Sequence, residues 1–232
     1  MASPSLDTSI FREYKPESPI ATELRRLYNN LKRKTEGSPY KSFLITSAIR
    51  GEGKSTIASY LAVTVAQFPQ VKVLIVDADM RRPRMHSVFG VENPGGLKEC
   101  LTHSADPLSV IKKTQLSNLD VITAGGKTDS PSKLFESELL SEFFAKVRFY
   151  YDIVFVDSAP VLAVSDTLFL SAELDAVVLV VLAGVTPNQV VIRAKETLVD
   201  ARANIVGAVV NNMSEALPYY YDYKYYGAYR KT

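Results

Sequence analysis

The residues best suited to chemistry fall in three short stretches. The first, Ala48-Ile49-Arg50-Gly51-Glu52-Gly53-Lys54-Ser55, follows the phosphate-loop pattern G-x-x-x-x-G-K-[ST], with Ala48 where the first glycine is usual. Gly51 and Gly53 permit turns that aim the backbone N–H groups of the Gly51-Glu52-Gly53 loop at an anion. A helix opening at Lys54 adds the favourable potential of its N-terminus. In this pattern Lys54 reaches the outer phosphates, Ser55 offers a hydroxyl to Mg²⁺, and Thr56 contacts an inner phosphate. A glycine turn ahead of an ordinary helix would look the same locally, so the other two stretches carry the decision.

The second stretch, Ile153-Val154-Phe155-Val156-Asp157, uses four apolar residues to deliver a carboxylate to a strand end, where the magnesium of a phosphate loop would lie. The third, Val73-Leu74-Ile75-Val76-Asp77-Ala78-Asp79, ends in two aspartates two residues apart, which project to one side of an extended chain. Three carboxylates exceed what metal binding by such a loop needs. One of them is left to act as a base toward an attacking hydroxyl.

A fourth feature is a candidate acceptor for that chemistry. Tyr219, Tyr220, Tyr221, Tyr223, Tyr225, Tyr226 and Tyr229 crowd the C-terminus after Pro218, with no helical stripe among them. Such a cluster can dock on a partner through its amphipathic rings, or receive phosphate. Asn211, at the end of the last apolar run, is a candidate for reading the edge of an adenine or for closing a turn. Arg81, Arg82 and Arg84 could stabilise phosphate charge, hold the tail, or solvate a loop. His86 and His103 lack metal-ligand spacing, and Cys100 reads as a small buried apolar residue.

The elements that must position these residues alternate along the chain. Strand-like runs are expected at Ser42–Ser47, Val71–Asp77, Leu119–Thr123, Ile153–Asp157, Ala176–Leu182 and Ile205–Val210. Helices are expected at Ala21–Lys34, Lys54–Gln67, Leu97–Thr102 with Pro107–Lys113, Ser132–Arg148, Ser165–Ala172 and Asn188–Ala203. Continuous apolar strands separated by amphipathic helices predict an α/β fold, a parallel sheet with helices on both faces, in which ligands bind outside the carboxyl ends of the strands. The chain divides into a flexible N-terminal segment (1–18), one domain (19–213) and a tyrosine-rich tail (214–232). A net charge of +2, with Lys and Arg scattered, gives no reason to expect a nucleic-acid partner. A single cysteine excludes an internal disulfide framework and multi-cysteine metal sites. With no signal-peptide core and no apolar run of membrane-spanning length, the chain is expected to be cytosolic, on its own or as the cytoplasmic piece of something larger.

Together, Gly51-Glu52-Gly53-Lys54-Ser55, the stretch Val76-Asp77-Ala78-Asp79-Met80-Arg81-Arg82-Pro83 and the stretch Val154-Phe155-Val156-Asp157-Ser158-Ala159-Pro160 resemble the Walker A, A′ and B motifs of the bacterial tyrosine kinases of capsule and exopolysaccharide production. The resemblance runs from about Pro19 to the tail, and implies a P-loop NTPase fold and an ATP- and Mg²⁺-dependent protein-tyrosine autokinase. It assigns phosphate binding to Lys54, magnesium binding to Ser55, and shared metal and base roles to Asp77, Asp79 and Asp157. Asp77 is the favoured base, with Asp79 and Asp157 nearer the metal. It makes the tail tyrosines acceptors, phosphorylated in trans. It also implies a homo-oligomer, such as a ring, held by an E-x-x-R-x-x-R motif on the first helix, of which Glu23 and Arg26 or the neighbouring Arg25 match part while Asn29 replaces the last arginine. A membrane-spanning polysaccharide co-polymerase, in cis or in trans, is the implied activator, recruiting the kinase to the inner face of the plasma membrane. The same superfamily contains ParA- and MinD-like positioning ATPases, whose extra loop lysine falls at the place Ile49 occupies here. Such an ATPase and a non-catalytic, nucleotide-responsive docking module remain the alternatives.

Overall fold

The computed structural model describes residues 10–34 and 40–213, apart from the Lys34 side chain. The candidate acceptors Tyr219, Tyr220, Tyr221, Tyr223, Tyr225, Tyr226 and Tyr229 lie outside the described residues. Seven strands form one sheet: β1 (Ser42–Ser47), β2 (Val73–Asp77), β3 (Lys112–Lys113), β4 (Leu119–Ile122), β5 (Ile153–Asp157), β6 (Ala176–Leu182) and β7 (Ile205–Asn211). Their order is β3-β4-β2-β5-β1-β6-β7. Every pairing is parallel except the short β3 against β4. Strands β1, β2, β4 and β5 are buried along their whole length, and interior β6 is buried up to Val180, as a sheet covered on both faces requires.

Nine helices pack on that sheet among the described residues: α1 (Ile10–Glu13), α2 (Pro19–Lys34), α3 (Lys54–Val65), α4 (Met85–Phe89), α5 (Leu97–Cys100), α6 (Pro131–Phe135), α7 (Leu139–Tyr150), α8 (Asp166–Glu173) and α9 (Asn188–Asp200). One core layer joins α1 to α4 to one sheet face, and the other joins α5 to α9 to the opposite face. Helix α2 buries Ala21, Leu24, Tyr28 and Leu31 at helical spacing against α3. It starts two residues before its expected position because Ser18 caps it through the Ala21 N–H at 3.2 Å and Pro19 fits the first turn. Helix α3 is apolar almost all round, lying between the sheet and α2.

Four expectations need correction. Residues 10–18, grouped above with the flexible N-terminus, pack on the domain: Ile10 and Tyr14 are buried, and the Tyr14 hydroxyl donates to Thr64 Oγ1 at 3.1 Å. The segment Pro107–Lys113 is turns followed by β3 rather than helix, and Lys112 is held by Thr123 Oγ1 at 2.9 Å. The single helix expected over Ser132–Arg148 is two, α6 and α7, separated at Glu136–Glu138. Helix α4 was not anticipated; it ends at Gly90, whose φ of 66° supplies a left-handed cap.

The parallel arrangement brings the carboxyl ends of β1, β2 and β5 together. Asp77 is in register with Asp157 across β2 and β5, so the two carboxylates share one face of the sheet. Strand β1, on the other side of β5, runs into the phosphate loop.

Candidate active site

The phosphate loop turns through two left-handed glycines, Gly51 at φ 87° and Gly53 at φ 89°. Such angles strain any residue with a Cβ, which explains glycine at both places. Gly53 is the N-cap of α3 and contributes no side-chain cap, leaving the first N–H groups of a 12-residue helix for an anion. In front of this helix end lies a cavity of about 410 Å³. Gly51, Gly53, Lys54, Ser55 and Thr56 form one wall, Asp79 with Arg81, Arg82 and Arg84 a second, and Ala159, Pro160, Ala163 and Val164 a third. Three separate sequence stretches thus converge on one volume.

Lys54 is the centre of the polar network. Its ammonium lies 3.1 Å from Asp79 Oδ2, 3.6 Å from Asp157 Oδ1 and 3.2 Å from Ser55 Oγ. Asp79 is largely buried and also accepts the Arg82 N–H at 3.0 Å through its other oxygen. Asp157 is fully buried, and neither of its oxygens has a hydrogen bond. Burial pushes its carboxyl up to about 6, against the pull of Lys54. A buried carboxylate with no hydrogen bond, met by the Lys54 ammonium at 3.6 Å, is a costly feature of any fold, and here it faces the residues that the sequence assigned to phosphate and metal.

Asp77 is placed differently from Asp79. It is fully buried and does not line the cavity. Its Oδ2 accepts the N–H groups of Arg84 at 2.8 Å and Met85 at 2.9 Å, and its Oδ1 accepts the N–H of Asp79 at 3.2 Å. Burial and then the adjacent Asp157 push it up to about 7, although the Met85 and Arg84 amides act the other way. The two aspartates are therefore placed differently: Asp79 borders the cavity, while Asp77 lies outside its lining, raised by burial and enclosed by backbone N–H groups.

Ser55, Asp79 and Asp157 surround Lys54 but do not form a closed metal cage; among the described residues no group of three acidic, His or Cys side chains is gathered to hold an ion. That suits Mg²⁺ bound with phosphate, which takes one or two carboxylates and fills its octahedron with phosphate oxygens and water.

Of the residues expected to contact nucleotide, two place their side chains outside this cavity. Glu52 does not line the cavity; its side chain turns into the protein and is buried. Asn211 borders a separate groove of about 510 Å³ between α2 and β7. Glu23 and Arg26 line the same groove, paired with each other at 2.6 Å. Arg25 instead donates to the Pro16 carbonyl at 2.7 Å and to Thr22 Oγ1 at 3.2 Å, fastening the approach to α2.

One support of the site was invisible in the sequence. Buried Asp166 at the start of α8 accepts Arg81 Nε at 3.0 Å and Nη2 at 3.4 Å, and the Ser132 hydroxyl at 2.6 Å. Arg81 is thereby held at the cavity wall by partners on two other helices. An aspartate near a helix start reads as a cap. Only the fold shows the arginine that uses it.

Comparison with known proteins matches this arrangement. A sequence profile of the ParA family, described as NUBPL iron-transfer P-loop NTPase, matches residues 40–223. The tyrosine-protein kinase YwqD of Bacillus subtilis is 35% identical over 212 residues, covering 91% of this chain and 88% of the relative. A putative tyrosine-protein kinase CapB of Staphylococcus aureus is 34% identical over 215 residues, covering 92% of each. The crystal structure of the chimerical protein CapA2B2 superposes with a TM-score of 0.82 at 33% identity, covering 92% of both chains. With its three phosphate-site motifs converging as the sequence predicted, the chain belongs to the bacterial tyrosine-protein kinases, within the ParA-type P-loop NTPases.

Proposed function

We propose that this protein is an ATP-dependent tyrosine autokinase that phosphorylates the C-terminal tyrosines of a neighbouring copy. The observation that carries the reading is Lys54, at the open end of α3, lying between Asp79 and Asp157 from two other strand ends. This cation can follow a γ-phosphoryl group from ATP to an acceptor, stabilising charge as it develops. Ser55, Asp79 and Asp157 would hold Mg²⁺, which supplies neutralisation of the phosphate oxygens. Asp77, raised to about 7, takes the tyrosine proton. The phenolic oxygen then bonds to the γ-phosphorus while the bond to the ADP oxygen breaks.

The resemblance stated above supports three further parts of this reading. Subunits associate through the α2 face bearing Glu23, Arg25 and Arg26. A membrane-spanning co-polymerase partner activates the kinase and brings it to the inner face of the plasma membrane. Phosphorylation of the tail regulates synthesis and export of a capsular or extracellular polysaccharide, since each phosphate adds about −1.5 to −2 charge and repels its neighbours. Among the described residues no helix is long and apolar enough to cross a membrane.

The test is incubation of dephosphorylated protein with Mg-ATP, with and without a co-polymerase cytoplasmic segment, followed by mass spectrometry of the tail. Phosphate on Tyr219 to Tyr229 that is absent in Lys54→Met is the expected result. Phosphate released to water, with the tail unmodified in both samples, would return the protein to the positioning ATPases.

A further inference from the structure

A glutamate inside a phosphate loop opposes anion binding through its charge, so Glu52 calls for an account. Its side chain is 1% exposed and turned away from the cavity. Oε2 accepts the Ile49 N–H at 2.7 Å, bridging the two sides of the loop. Oε1 accepts the Thr186 hydroxyl at 2.6 Å and the Leu182 N–H at 3.4 Å. The Glu52 carbonyl accepts Asn211 Nδ2 at 3.0 Å. Leu182 and Asn211 are the last residues of β6 and β7, and Thr186 lies in the turn between β6 and α9. Asn211 also presses on the loop from outside, since a Cβ on Gly53 would lie 2.3 Å from its Nδ2.

We infer that Glu52 is a positioning residue that locks the phosphate loop to the carboxyl ends of β6 and β7, so that those strand ends and the loop respond to nucleotide as one unit. The inference rests on the nucleotide-binding reading above and deepens it. A buried carboxylate is tolerable only when its hydrogen bonds are made, and this one spends them on the loop at one oxygen and on the β6–α9 turn at the other. Neither bond touches a phosphate. The loop's left-handed turns are held from behind, leaving its own N–H groups for the ligand. Thr186 has a second consequence, because its neighbour Val185 is among the most exposed apolar side chains of the described residues, at 62%. A molecule pressing on this turn would reach the phosphate loop through one hydrogen bond.

Thr186→Val removes the hydroxyl from a half-buried turn residue and leaves Glu52 in place; Glu52→Gln alters the acceptor itself. Two readouts separate the inference from the kinase reading. In nucleotide-free protein, hydrogen exchange of the peptide covering residues 48–54 should speed up about tenfold in Thr186→Val and in Glu52→Gln. In turnover, the KM for ATP should rise about tenfold with kcat changed less than about threefold, because the loop's hold on phosphate is lost equally in ground and transition states. Thr186→Ser should keep wild-type values. The double variant should be no worse than Glu52→Gln alone, since both changes cut the same link. Unchanged exchange and KM in Thr186→Val, or additive losses in the double variant, would overturn the inference. If the wild-type protein neither binds nor turns over Mg-ATP, the proposed function falls, and the exchange measurement still decides the role of Glu52. If Glu52→Gln does not fold, Thr186→Val against Thr186→Ser carries the test.

Discussion

The two ends of the sheet use the same residue types to opposite effect. At the amino ends of the strands, Asp175 Oδ2 accepts the Lys41 N–H, the Ser42 N–H and the Ser42 hydroxyl, each at 2.8 Å, and its Oδ1 accepts Arg148 Nη1 at 3.2 Å. Arg148 in turn reaches Glu173 at 2.7 Å, tying α7 to the end of α8. At the carboxyl ends, Asp157 has no hydrogen bond, Asp77 is raised to about 7, and the single ammonium of Lys54 serves both Asp79 and Asp157. Saturated carboxylates hold elements together; unsaturated ones hold capacity for a ligand and its charge. Active sites are destabilised in this sense, and the saturated end offsets the cost.

The largest expected effect attacks the reactive end. Lys54→Met should lower phosphate transfer to the tail by at least about 10³-fold, measured by quantitative mass spectrometry, because among the described residues Lys54 is the cation that bridges Asp79 and Asp157. Retention of transfer within about tenfold would break the assignment of this end as the reactive one. Asp157→Asn should cost about 10²-fold in transfer and yet stabilise the nucleotide-free fold at alkaline pH. The sign follows from the raised carboxyl: with a folded value near 6 above an ordinary 3.8, its stabilising contribution is complete below about pH 3.8 and is lost as pH rises through 6. Asparagine carries no such penalty. Urea titrations should therefore find the variant more stable than wild type by on the order of 1–3 kcal/mol at pH 8, the gain fading toward pH 4. A variant less stable at pH 8 would show that the attraction of Lys54 outweighs burial.

Arg148→Ala probes the saturated end and should do the reverse. It leaves Glu173 and Asp175 without their shared cation and should destabilise by about 2–3 kcal/mol, seen as a lower urea midpoint. Below the unfolding transition, the KM for ATP and the transfer rate should stay within about twofold of wild type, since the change is at the far end of the strands. A large kinetic effect with unchanged stability would erase the distinction between the two ends.

Much of the reactive end was legible in the sequence, and the reason is physical. Lys54, Ser55 and Thr56 follow glycines whose φ angles dictate their identity, and Asp77 and Asp157 end apolar runs whose burial dictates strand. Strands β1, β5 and β6 fall at their expected boundaries, because each is built on an apolar run rich in β-branched or aromatic residues and buried in the sheet. What was illegible depends on long-range partners. Nothing local distinguishes Asp166 as the holder of Arg81, or Glu52 as the link to Thr186, since their partners lie 85 and 134 residues away. The short α4 and the turns over Pro107–Lys113 carry too few residues for a periodic pattern, so local propensity gave way to packing. Asp77 was read as the favoured base among three carboxylates, and only the fold reveals that backbone N–H groups enclose it.

The smallest predicted effect concerns a half-saturated carboxylate at the amino ends, since buried Asp120 Oδ1 has no hydrogen bond and both side-chain donors meet its Oδ2. Tyr151, just before β5, donates its hydroxyl to Asp120 Oδ2 at 2.7 Å, and exposed Lys113 meets the same oxygen at 2.8 Å. Burial, followed by the Asp120 contact, pushes the phenol well above its ordinary range. Tyr151→Phe keeps the ring and its packing but removes the donor. Because Lys113 still serves that oxygen, the cost should be about 1 kcal/mol, the ordinary net value of one hydrogen bond, with no change in transfer. Combined with Lys113→Ala, the same substitution should cost more than the sum of the two, since buried Asp120 then loses both of its side-chain donors. Additive losses in urea would mean that each donor acts alone, and that stability at this end is a sum of pairs rather than a shared property of the carboxylate.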